Sequence, residues 1–118
     1  MRAFLRRLTH LAFDVLTDLR IFGTENIPKE GPLLVVGNHF SFIDPVAMLR
    51  ATPWPLEFVG GTQMPNAPAS VTWLPRIWGY FRVLRGTGSR HALRASEAVL
   101  AQGGAVGIFP EAGNWATV

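Results

Sequence analysis

His39 and Asp44 lie five positions apart in the stretch Asn38-His39-Phe40-Ser41-Phe42-Ile43-Asp44-Pro45. A neutral imidazole takes up a proton near neutral pH, and a carboxylate within reach fixes its tautomer and orientation. The pair can therefore work as a general base and its orienter. A structural role fits the same residues. Asp44-Pro45 reads as a helix start, with Asp at the N-cap and Pro at the first helical position. A histidine after a strand is often held in place by hydrogen bonds with no part in chemistry. Ser41 offers a hydroxyl as a rival nucleophile. No G-x-S-x-G elbow surrounds it and no second histidine is placed to serve it, so a loop or capping role is expected.

Other chemistries are excluded by composition. The 118 residues contain no cysteine, which removes disulfides, thiolate metal sites and a cysteine nucleophile. His10, His39 and His91 are far apart in the chain and none has a partner at metal-ligand spacing, so no metal is expected. The hydrophobic fraction of 48% suits one globular domain with a real core. Charged residues make up 16%, against about 25% in an ordinary soluble domain. Contact with something apolar, or a large hidden core, would account for the difference.

The net charge of +3 matters less than its distribution. No acidic residue lies between Glu57 and Glu97, yet Arg76, Arg82, Arg85, Arg90 and Arg94 all do. Such a segment makes a positive field suited to phosphate, on nucleic acid, a phospholipid headgroup or a phosphorylated cofactor. A solvated basic face gives the same pattern. Nucleic acid is the weakest partner, because no nucleic-acid motif is present and lysine is almost absent.

The elements that must position the pair follow from periodicity. Phe4, Leu5, Leu8, Leu11, Ala12, Val15, Leu16, Leu19 and Phe22 recur at helical steps, which predicts an amphipathic helix over residues 4–22. Charges interrupt it too often for a membrane span, and Asp14 and Asp18 argue against a secretory signal. Packing on the core and lying in a membrane interface both fit the stripe. Residues 23–32 are a Gly- and Pro-rich loop. Leu33–Val36 lacks alternation and predicts a strand buried on both faces. A short helix over Pro45–Ala51 follows, then a strand over Leu56–Val59 stopped by Gly60-Gly61.

Residues 62–79 are punctuated by Pro65, Pro68 and Pro75 and give no clear element beyond a helical turn near Val71–Leu74. Trp73, Leu74, Ile77, Trp78, Tyr80 and Phe81 form an apolar cluster that is either core or the lining of an apolar tunnel. Phe81–Leu84 predicts a strand, Arg90–Gln102 a helix stopped by Gly103-Gly104, and Ala105–Phe109 a last strand ended by Pro110. The alternation implies an α/β fold, with a mixed, partly parallel sheet flanked by helices.

Three blocks stand in order: Asn38-His39-x-Ser41-x-x-Asp44-Pro45, Gly79-Tyr80-Phe81-Arg82-Val83-Leu84-Arg85-Gly86, and Phe109-Pro110-Glu111-Ala112-Gly113. Together they resemble the glycerolipid acyltransferase family, which includes the lysophosphatidic acid (1-acylglycerol-3-phosphate) acyltransferases. That family carries an N-H-x-x-x-x-D block, an arginine after a short strand and an F-P-E-G-T-R-like block. The resemblance covers roughly residues 20 to 115 and implies two regions: an amphipathic N-terminal helix over 1–22 and the N-terminal part of an acyltransferase domain over 23–118. It also implies a fatty acyl transfer from a thioester, on coenzyme A or acyl carrier protein, to the hydroxyl of a lysophospholipid-like acceptor in phospholipid biosynthesis.

By the resemblance, His39 is the general base and Asp44 holds its imidazole. The hydroxyl then attacks the thioester with no acyl-enzyme, metal or resident cofactor, and backbone N–H groups would meet the oxyanion. Arg85 matches the arginine that binds the acceptor's phosphate, while Glu111 and Gly113 belong to the block used around the acceptor. Arg82 should alternate to the other face of its strand. The expected setting is peripheral, on the cytoplasmic face of a membrane. The third block departs from the family pattern, because Ala112-Gly113-Asn114 stands where Gly-Thr-Arg is usual. A missing arginine puts a lysophosphatidic acid acceptor in doubt. The chain also ends shortly after this block, where the family domain continues to a further strand with a Val-Pro element. The expectation is therefore a truncated part of a longer enzyme, or a catalytically incomplete lipid- or membrane-binding module.

Overall fold

The computed structural model describes residues 2–61, 69, 72, 78, 80–83 and 89–111. Among these residues, three α-helices and four strands run in the order α1 (Arg2–Leu16), β1 (Leu33–Val36), α2 (Asp44–Ala51), β2 (Leu56–Gly61), β3 (Tyr80–Val83), α3 (Arg90–Ala101) and β4 (Ala105–Ile108). The strands form one sheet in the order β1-β4-β2-β3, and every described pairing is parallel. The predicted α/β class holds, with a more uniformly parallel sheet than its partly parallel description. The connection β1-α2-β2 crosses the sheet one way and β3-α3-β4 crosses back. Right-handed crossovers in opposite directions place α2 and α3 on opposite faces.

Parallel pairing keeps partnered residues on one face. Leu33, Val35, Leu56, Phe58 and Ala105 therefore share the face that packs on Met48 and Leu49 of α2, and this is the core. Gly107 lies on the same face, and a Cβ there would come within 2.8 Å of the Phe58 ring, so glycine lets the layers close. Leu34, Val36 and Val106 point the other way, toward the layer of α3. Val106 is fully buried, whereas Leu34 and Val36 are each 56% exposed. The expectation of a strand buried on both faces fails because β1 is an edge strand and α3 packs on β2, β3 and β4.

Local chemistry explains the helix ends. Ser89 caps α3 by accepting from the Ala92 N–H. At the other end Gly103, at φ 75°, donates to the Leu100 carbonyl and Gly104 donates to that of Val99. That double closure is a Schellman motif, the stop predicted from Gly103-Gly104. Gly60 and Gly61 do not stop β2. They pair with Arg82 and Val83 of β3.

Helix α1 ends at Leu16, short of the predicted residue 22. Its apolar stripe faces solvent: Phe4, Leu8, Leu11 and Val15 are all exposed. The opposite side turns inward, where Arg6 donates to the Thr52 carbonyl at the end of α2 and Asp14 pairs with Arg50. Among the described residues, no helix is long and apolar enough to cross a membrane.

Candidate active site

In a parallel sheet the carboxyl ends of all strands open on one edge, and loops leaving there can converge. β1 and β4 are neighbours, so their exits run side by side. The ladder continues one step past β1, with the Gly37 N–H donating to the Ile108 carbonyl at 3.2 Å. A Cβ on Gly37 would meet Met48 Cε at 2.6 Å and Phe109 Cε1 at 3.3 Å. Glycine therefore lets the exit pass tightly between α2 and β4.

Beyond Gly37 the chain turns sharply into α2, with the Asp44 N–H bonded to the Ser41 carbonyl at 3.1 Å. Asp44 is the first residue of the helix and not its N-cap, which is Ile43. The predicted cap is corrected by where the carboxylate points. Asp44 Oδ2 accepts from the Phe40 and Ser41 N–H groups, each at 2.6 Å, and so binds the turn before the helix. The same oxygen lies 3.1 Å from His39 Nδ1, and both side chains are 22% exposed.

A carboxylate only accepts, so this contact assigns the proton to Nδ1 and leaves Nε2 as the basic nitrogen. An imidazole that gains a proton at Nε2 becomes a cation beside an anion in a half-buried setting, where the attraction is stronger than in bulk water. The pair has the geometry of a base and orienter.

Two contacts come from the β4 exit. Glu111 Oε2 accepts from the His39 N–H at 3.0 Å across 72 residues of chain. The separation is that of the β1–β4 register, in which Val36 stands beside Ile108. Carrying the register three residues onward brings His39 to Glu111. The Phe109 ring stacks on the His39 ring with centroids 4.4 Å apart and planes 23° apart. Phe109 in turn lies parallel to the core ring of Phe58, at a centroid distance of 6.4 Å.

The amides of residues 39, 40 and 41 are all committed to carboxylates, so none of them is free to meet a developing oxyanion. Among the described residues, no group of three or more His, Asp or Glu could hold a metal.

Of the sequence-predicted site residues, His39, Asp44 and Glu111 meet. Arg85 and Gly113 lie outside the described residues, as does the Arg82 side chain. The ring contact of Phe109 was not foreseen. The available signal was its position at the end of an apolar run, level with Gly37 if β1 and β4 pair. From the aromatic cluster, Trp78 packs against the core and its indole N–H donates to the Leu56 carbonyl at 3.1 Å.

A family model described as acyltransferase matches residues 18–117. The chain belongs to the acyltransferase family. The matched span takes in both strand exits of this acyltransferase-family chain, and with them His39, Asp44 and Glu111. Comparisons with curated proteins and with solved structures gave no match. An open apolar groove of about 710 Å³ also runs beside β1, lined in part by Leu19, Phe22, Leu34, Val36, Met48 and Trp54. None of His39, Asp44 and Glu111 lines it.

Proposed function

We propose that this acyltransferase-family protein moves a fatty acyl group from an acyl thioester to the hydroxyl of a lysophospholipid or similar acceptor. The observation that carries the reading is the His39 Nδ1 contact with Asp44, which leaves Nε2 basic within a family of acyl-transferring enzymes. Nε2 removes the hydroxyl proton as the oxygen attacks the thioester carbonyl carbon. The carbon–sulfur bond breaks, an ester forms, and the thiolate leaves with the proton held by the imidazolium. Asp44 stabilises that imidazolium. No acyl-enzyme forms, and the donor is a co-substrate on coenzyme A or acyl carrier protein.

Arg85, Glu111 and Gly113 are assigned to the acceptor side, with the Arg85 guanidinium suited to a phosphate. The direct test follows thioester consumption with lysophospholipid acceptors, comparing the protein with its His39→Ala variant. Intact turnover in the variant would rule out the base.

A second reading is a lipid- or membrane-binding module without turnover. It is favoured by the outward stripe of Phe4, Leu8, Leu11 and Val15 with Arg7 beside it, which suits the interface of an anionic membrane. Under either reading the protein sits peripherally on the cytoplasmic face. Co-sedimentation with anionic liposomes, alongside the transfer assay, separates the two. Binding without transfer selects the module.

A further inference from the structure

We propose that Phe109 and Glu111 are positioning residues that hold the general base from the exit of the neighbouring strand, β4. The inference rests on the acyl-transfer reading for its chemistry and on the β4 exit for its geometry. Asp44 fixes one nitrogen of the imidazole, but a single contact leaves the ring free to swing about it. The Phe109 ring, at a centroid distance of 4.4 Å and 23° from coplanar, removes that freedom. Phe109 is itself packed against the buried core, so the plane of the base is set by the body of the protein. Its π face also lies against the ring that becomes cationic during transfer, where an aromatic face favours positive charge.

Glu111 acts on the backbone. Its carboxylate accepts the His39 N–H at 3.0 Å, the partner the extended β1–β4 register brings alongside. A charge-assisted bond at that point fixes the height of His39 above the strand ends. The ring and the main chain of one residue are thus held by two side chains two positions apart on β4's exit. Glu111 then contributes through His39, whatever its second oxygen does near the acceptor.

The test uses the full chain and begins with a readout that needs no turnover. Stacking on Phe109 shields the ring protons of His39, so their NMR signals are displaced upfield in the native protein. Phe109→Leu is expected to abolish the displacement, and Phe109→Tyr to retain it. Glu111→Ala is expected to speed solvent exchange of the His39 amide proton, and Glu111→Gln, whose carbonyl still accepts, to restore part of the protection. Ring and amide signals that ignore these changes would overturn the proposal, whatever the protein's reaction proves to be.

In the transfer assay, Phe109→Leu and Glu111→Ala are expected to lower kcat by about tenfold with KM within about twofold, since a misplaced base costs rate and not binding. The conservative changes Phe109→Tyr and Glu111→Gln should recover most of kcat. A raised KM at unchanged kcat would make Glu111 an acceptor ligand and overturn its positioning role. If His39→Ala leaves transfer intact while the NMR signatures hold, the general-base assignment fails and the holding of His39 by Phe109 and Glu111 stands.

Discussion

The exits of β1 and β4 lie side by side, but they do different work. The β1 exit carries the pair to which we assign the chemistry and closes on itself, because Asp44 reaches Phe40, Ser41 and His39 within five residues. Among the described residues, the β4 exit supplies no group to either ring nitrogen. Phe109 and Glu111 set where the imidazole and its backbone stand. One exit decides which nitrogen is basic, and the other decides where that nitrogen points. A proton-transfer site needs both, and only the first is a local property of the chain.

Breaking the β1 exit should have the largest effect. His39→Ala removes the proposed base and is expected to lower kcat by about 10²- to 10⁴-fold with little change in fold. The steady-state rate of thioester consumption and a far-UV circular dichroism spectrum check both halves of that expectation. Asp44→Asn comes next. The carboxamide oxygen can still accept from the Phe40 and Ser41 amides, so the turn survives and what disappears is the negative charge beside the imidazolium. A loss of about 10²-fold in kcat is expected. An Asp44→Asn protein as fast as the native one would reduce Asp44 to a structural support of the turn.

Breaking the β4 exit should cost less, because the base remains and only its placement loosens. Glu111→Ala is expected to lower kcat by about tenfold, since one hydrogen bond to a charged acceptor contributes roughly 1.5 to 3 kcal/mol and this one is open to solvent. The comparison between the exits fails if Glu111→Ala matches His39→Ala in severity, because Glu111 would then touch the reacting groups itself.

The same division explains what could be read from the chain. The His39–Asp44 pair was legible because five residues and a strand exit suffice to bring them together. The Schellman stop at Gly103-Gly104 was legible for the same reason. The contacts of Phe109 and Glu111 were not, because they depend on which strands pair and in what register, and a sequence separation of 72 residues carries no local signal. Direction was equally hidden. The stripe of α1 was visible as periodicity, but only the placement of Arg6 against Thr52 and Asp14 against Arg50 shows that its apolar side faces out. β1 read as buried on both faces because Leu-Leu-Val-Val is uniformly apolar, and nothing in those residues marks a strand at the edge.

The smallest effect belongs to Ser41, which sits inside the chemical exit but contributes mainly through its backbone. Its hydroxyl accepts the Ile43 N–H at 3.4 Å, a long bond within the turn. Its own N–H, bonded to Asp44 at 2.6 Å, survives any side-chain change. Ser41→Ala is therefore expected to change kcat by no more than about threefold, since a weak hydrogen bond is worth about 0.5 kcal/mol. Intact-mass spectrometry of the native protein mixed with acyl thioester should show no acyl adduct. A loss near that of His39→Ala, joined by an adduct that Ser41→Ala removes, would make the serine a nucleophile. The hydroxyl of the acceptor would then attack an acyl-enzyme, and His39 would serve two substrates in turn.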